Sequence, residues 1–224
     1  MSTIRFKFTR GEELRFISHL DQQRLFQRAF RRAGLNIAHS NGFNPHPKLS
    51  FALAMSVGLM SDSEYGDVVL TSDIDLMAFT KRLNAALPKG LKVVEARKIP
   101  QGKASLSASL TDSSYRIEVM LAAGINAASL DELLKTYLSL DEVILEKRNK
   151  KGKLVPKNIR PFIKDIKVLS IEEETAVLEL KLKYIEQQSV KPELVLQTVN
   201  QSVKPCFIID PTVVMTRKEL NLNS

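Results

Sequence analysis

Tryptophan is absent from this 224-residue chain, and cysteine occurs once, at Cys206. One cysteine excludes an intramolecular disulfide. It also excludes a cysteine-ligated iron–sulfur cluster or a cysteine-rich zinc site held by this chain alone. Histidine is almost as scarce, with only His19, His39 and His46. Tyrosine numbers four, and the ten phenylalanines fall mostly at core spacing, which leaves few aromatic side chains to read bases. No apolar run approaches the roughly 18 residues that a membrane-spanning helix needs. The opening Met-Ser-Thr does not read as a signal peptide. The resulting expectations are no membrane, no cofactor, no resident metal and a cytoplasmic location.

What is present is an ordinary globular composition, 44% hydrophobic and 26% charged, with a formal net charge of +8. That charge is unevenly placed. Residues 1–50 carry nine basic side chains against Glu12, Glu13 and Asp21, a net +6. Residues 148–164 carry seven basic side chains and no acid, and the remainder of the chain is acidic. Two basic patches on an otherwise acidic chain point to an anionic partner more than a uniform excess would.

All three histidines lie in Phe16–Lys48, the stretch richest in unusual chemistry. Ser18 is placed to cap a helix N-terminus, Asp21 completes an acidic variant of the capping box, and Gly34 is the expected left-handed stop. Between them Phe26, Ala29, Phe30 and Ala33 recur at helical spacing and predict one apolar face. Arg24, Arg28 and Arg31 share another face, where like charges cost stability unless something anionic answers them. The following loop holds the turn formers Asn41-Gly42 and Asn44-Pro45. Pro45 and Pro47 flank His46 and hold it extended, so its imidazole is preorganised for proton transfer, metal ligation or phosphate contact. His19, in the first helical turn, reads as structural.

Ile4, Phe6 and Phe8 alternate with Arg5, Lys7 and Thr9, predicting a strand with one apolar and one basic face. After the capped helix come strands over Leu49–Met55 and Gly66–Thr71, with Ser61–Tyr65 as a polar connection between them. A helix from Asp73 and a strand over Leu91–Lys98 complete a β-α-β-β-α-β order. Pro100–Ser113 lacks periodicity and reads as a linker. The pattern then repeats: a strand from Tyr115, a helix over Ala128–Leu138 and an inserted hairpin with the basic tip Asn149–Lys153. Strands over Ile166–Ile171 and Ala176–Tyr184, a helix over Pro192–Gln201 and a closing strand over Phe207–Thr216 follow. The predicted fold is α+β, two tandem ferredoxin-like domains with antiparallel sheets, over residues 1–100 and 115–224 with a linker at 101–114.

The motifs Arg15-Phe16-Ile17-Ser18-His19-Leu20-Asp21, Arg31-Arg32-Ala33-Gly34-Leu35 and Asn41-Gly42-Phe43-Asn44-Pro45-His46-Pro47-Lys48 resemble those of the radical-SAM-linked domain family. Asn158-Ile159-Arg160-Pro161 extends the likeness. The resemblance covers nearly the whole chain and implies association with a radical SAM protein. The CxxxCxxC cluster motif of the radical enzymes themselves is absent. A weaker, architectural resemblance links the tandem pattern to the CRISPR repeat-processing RNA endonucleases, some of which use histidine as general acid or base. This chain departs from them in having no glycine beyond Gly152 for a C-terminal phosphate-cradling loop.

The leading functional reading is a non-catalytic module that binds RNA or another anionic substrate for a radical SAM partner. Arg24, Arg28, Arg31, Asn41, Asn44, Lys48, Lys150, Lys151, Lys153 and Arg160 are the candidate contacts. Phe43 is a candidate for stacking on a base, although burial beneath its loop is the favoured placement for a phenylalanine. The alternative is a metal-independent RNA endonuclease with His46 or His39 as the acid or base, since histidine titrates near neutrality without tuning. Two further readings are a zinc site on the histidines and Asp21, whose spacing matches no standard motif, and a scaffold whose basic face meets an acidic protein.

Overall fold

The structure, a computed structural model, describes residues 1–100, 105–148 and 152–223. It is an α+β fold with four α-helices and eleven strands among the described residues. None of these helices is long and apolar enough to cross a membrane. The chain divides into two compact units. One is Met1–Leu110 together with the segment from Arg217 onward, and the other is Thr111–Thr216.

The first unit is built on β1 (Ser2–Arg10), with β3 (Leu59–Leu70) on one side and β4 (Leu91–Ile99) on the other, both antiparallel. The short β2 (Leu49–Phe51) pairs with the far half of β3. Two helices, α1 (His19–Arg32) and α2 (Leu76–Ala86), bury their apolar sides in the same core as Ile4, Phe6 and Phe8. Phe26, Phe30 and Phe79 meet Phe6 with ring centroids 5.6, 6.0 and 6.2 Å away. Each such ring contributes about 1.5–3 kcal/mol by leaving water. Gly66, opposite Phe6 in the ladder, has to be glycine, because a Cβ there would lie 2.4 Å from Phe6 Cζ. The helices also cap each other. Arg82 of α2 donates to the Ala33 and Gly34 carbonyls that end α1, and Arg32 of α1 donates to the Ala86 carbonyl that ends α2.

The structure corrects the reading of Ser61–Tyr65 as a connection, since β3 runs through it without a break. Its polar residues Ser61, Ser63 and Glu64 are buried. They are satisfied by β11 (Val214–Leu222), which starts in the second unit and ends in the first. Ser61 Oγ donates to the Arg217 carbonyl, Ser63 Oγ accepts from the Leu220 amide, and Glu64 forms an ion pair with Arg217. Polar residues that read as loop in isolation form strand once their partners arrive from the far end of the chain.

In the second unit β5 (Leu110–Leu121) lies between β9 (Thr175–Lys183) and β10 (Phe207–Ile208), and β8 (Ile163–Glu172) lies outside β9, all antiparallel. Helices α3 (Ala127–Ser139) and α4 (Pro192–Ser202) bury Leu130, Leu134, Val195, Leu196 and Val199. A buried hydrogen bond, 2.7 Å between Tyr137 Oη and Thr198 Oγ1, joins them. The inserted hairpin is β6 (Ile144–Arg148) with β7 (Leu154–Asn158), a separate two-stranded ladder.

Two boundaries differ from expectation. The segment read as linker contains a 3₁₀ turn at Leu106–Ser109 and the first residues of β5, where Ser113 is buried. The closing strand is two strands, separated around Pro211, and the second runs on to Leu222. Proline cannot donate to a ladder, which accounts for the break.

Candidate functional site

Helix α1 carries the first part of the site. Ser18 Oγ accepts from the Asp21 amide at 3.1 Å, closing the N-terminus. At the other end Gly34 takes φ +63°. The Leu35 amide reaches back to the Phe30 carbonyl at 2.9 Å and the Gly34 amide to the Arg31 carbonyl at 3.1 Å, the Schellman arrangement. Burial of Gln22, Phe26, Ala29 and Phe30 fixes the rotation of the helix, so Arg24, Arg28 and Arg31 face solvent. Arg24 meets Asp21 at 3.5 Å, a loose exposed pair. Arg28 donates to the Arg24 carbonyl at 3.4 Å. Among the described residues no carboxylate pairs with Arg28 or Arg31.

The loop after α1 is tied at its base. Ala38 donates to the Val69 carbonyl at the end of β3, and Lys48 donates to the Ala38 carbonyl at 2.7 Å. The Ser40 amide donates to the His46 carbonyl, and the His46 amide to Ser40 Oγ at 3.0 Å. His39 bridges Pro47. Above this base Asn41, Gly42, Phe43, Asn44 and Pro45 are exposed. The expectation that Phe43 is buried beneath the loop is corrected, because its ring is fully exposed at the tip. The polar and proline residues around it offer nothing apolar to cover it.

His39 and Pro47, opposite each other in that bridge, lie on one side of the loop base. His39 therefore lines a groove with Gln27, Arg31, Asn36 and Pro47. Gln27 and Arg31 also line a neighbouring depression with Asp21, Arg24 and Arg28. The structure thus brings His39 into one groove with Arg31, the last member of the arginine row.

His19 packs edge-on against Phe51, ring centroids 5.8 Å apart, and its Nδ1 is buried without a hydrogen-bond partner among the described residues. Burial, and then the positive charge of Arg10, push its pKa down, while Glu64 pulls the other way. Arg10 was not singled out by its sequence context. Its buried guanidinium donates to Gln22 Oε1 and to the Leu59, Arg15 and Ser56 carbonyls. It ties β1 to α1 and to the loop before β3.

The second basic patch belongs to the other unit. Lys150 and Lys151 lie outside the described residues. Arg148 donates to the Gly152 carbonyl at 3.0 Å, Lys153 is also engaged, and Lys157 reaches Gln188 Oε1 and the Phe162 ring. Arg160 differs from its expected role as a phosphate contact. Its guanidinium donates to the Leu138, Leu140 and Ile163 carbonyls at 2.6, 3.1 and 2.8 Å, closing the C-terminus of α3. Among the described residues no group of three His, Cys, Asp or Glu side chains converges where it could hold a metal ion.

Solved structures share the fold at low sequence identity. A Cbf5-Nop10-Gar1 complex aligns at a TM-score of 0.53 and 9% identity over 96% of this chain and 49% of that chain. An H/ACA RNP bound to a substrate RNA containing 2'-deoxyuridine aligns at 0.50 and 8% identity over 95% and 46%. This chain spans about half the length of each. A CRISPR-associated protein from Thermus thermophilus aligns at only 0.21, with 13% identity over 86% and 87%, too low to bear on the fold. No curated protein matches the sequence. The sequence does match, over residues 3–192, the family described as "Uncharacterized protein conserved in bacteria (DUF2344)", and the chain belongs to that family.

Proposed function

We propose that this is a cytoplasmic, non-catalytic RNA-binding module that holds its RNA for a partner enzyme. The motif resemblance implies a radical SAM protein as that partner. We read each unit as a ferredoxin-like β-α-β-β-α-β domain, a reading supported by the strand orders β4-β1-β3-β2 and β10-β5-β9-β8. The observation that carries the functional reading is Phe43, an uncovered aromatic ring at the tip of a loop whose base shares a groove with Arg31, which no carboxylate pairs among the described residues. Such a ring costs solubility unless it has a flat or apolar partner, and a base stacked on it supplies about 1–3 kcal/mol. Arg24, Arg28 and Arg31 supply the phosphate contacts that single strands require. One neighbour in fold is an H/ACA RNP bound to a substrate RNA.

Fluorescence anisotropy with a labelled single-stranded RNA tests the reading. Phe43→Ala is expected to weaken binding about tenfold, the equivalent of one stacked base, with thermal unfolding unchanged. Equal affinities for Phe43→Ala and the parent would remove Phe43 from the interface and the reading with it.

A further inference from the structure

On the side of the first unit's sheet opposite α1 and α2 lies a cleft of about 450 Å³, within the range of small-ligand sites. Its floor comes from the alternate residues of β1 that face away from the phenylalanine core. Register places Arg97, Arg5 and Asp67 in one row across β4, β1 and β3, and Glu95, Lys7 and Tyr65 in the next. Asn221 and Asn223 line the cleft beyond β3.

Arg5 is 2% exposed and clamps Asp67 bidentately, at 2.8 and 2.9 Å, which neutralises that carboxylate and fixes the floor. Lys7 Nζ sits 5.9 Å from the centroid of the Tyr65 ring. Glu95 borders the same cleft, yet among the described residues it forms no ion pair with Lys7 or Arg97. The cleft therefore combines an aromatic ring, two cations without a carboxylate partner and a rim of carboxamides, above a rigid buried ion pair.

We infer that this cleft binds one nucleoside 5′-phosphate, free or as a unit of an RNA strand. Its base stacks on Tyr65, and Lys7 and Arg97 hold its phosphate. Aromatic side chains presented by a sheet are a recurrent platform for unstacked bases. The site is separate from Phe43 and the arginine row, and its test does not depend on them.

The test uses the full chain labelled with ¹³C in its tyrosine rings, with Tyr65 assigned by Tyr65→Phe. Uridine 5′-monophosphate, adenosine 5′-monophosphate, inorganic phosphate and a short single-stranded RNA are titrated separately. Each titration is repeated on the Arg24→Ala/Arg28→Ala/Arg31→Ala protein. A saturable upfield shift of the Tyr65 ring is expected with a mononucleotide, in the parent and in the triple variant alike. Arg97→Ala is expected to weaken it about tenfold, as for loss of one charge-assisted contact. Tighter binding of the strand identifies RNA as the source, and equal binding identifies free nucleotide. A Tyr65 ring unmoved by every nucleotide overturns the inference, whatever the α1 surface does. So does an equal shift with inorganic phosphate, which would mark an anion site without base recognition.

Discussion

Arg10 Nη1 lies 3.0 Å from Gln22 Oε1, so a buried cation at the end of β1 is joined directly to the inner face of α1. The same guanidinium holds the Arg15 and Ser56 carbonyls, 2.8 and 3.0 Å away, on the two segments that flank it. It orients the helix that carries the arginine row. Arg10→Leu leaves several buried acceptors without a donor, at a cost of about 1–3 kcal/mol for each one left unsatisfied. Urea unfolding is expected to show a loss of at least about 3 kcal/mol. Arg10→Lys is expected to recover part of it, because an ammonium keeps the charge but not the fork.

Stability should also fall on the acid side because of His19. Its folded pKa is lowered, chiefly by burial. The unfolded chain therefore takes up a proton, as pH drops through its ordinary value of about 6.5, that the folded chain resists. The contribution is complete above that pH and is lost below it. Unfolding free energies measured at pH 7.5 and 5.5 are expected to differ less in His19→Gln than in the parent. An unchanged difference would mean that other groups carry the pH dependence.

His46 is exposed, and its loop is held through backbone atoms and Ser40 Oγ rather than through the imidazole. His46→Ala is accordingly expected to change stability by less than about 0.5 kcal/mol, as for other surface positions. Any loss of RNA binding or of partner-dependent activity in that variant then belongs to the imidazole itself. Early unfolding of the variant would instead make His46 a pin for the loop.

Local chemistry made part of this architecture legible. The cap at Ser18, the stop at Gly34 and the alternation of Ile4, Phe6 and Phe8 depend on neighbours within a few residues, and they appear where spacing places them. What could not be read depends on partners far along the chain. Glu64 and Arg217, 153 positions apart, turn a polar stretch into buried strand. Arg160 looked like one more cation in a basic run, but three carbonyls at the end of α3 claim it. Phe43 reads as a candidate for stacking whose favoured placement is beneath its loop, because phenylalanine is usually buried, and only the geometry of the loop shows that its ring is uncovered.

The central claim is that the arginine row of α1 holds RNA phosphates, and the salt dependence of binding tests it most directly. For single strands the slope of log affinity against log salt is about 0.7 per phosphate neutralised. Measured across 50–300 mM salt on one RNA, the parent is expected to give a steep linear fall. The Arg24→Ala/Arg28→Ala/Arg31→Ala protein is expected to give a slope shallower by about two units, three phosphates' worth. Equal slopes in the two proteins would contradict the claim, because they would show that the three arginines neutralise no phosphates in the complex.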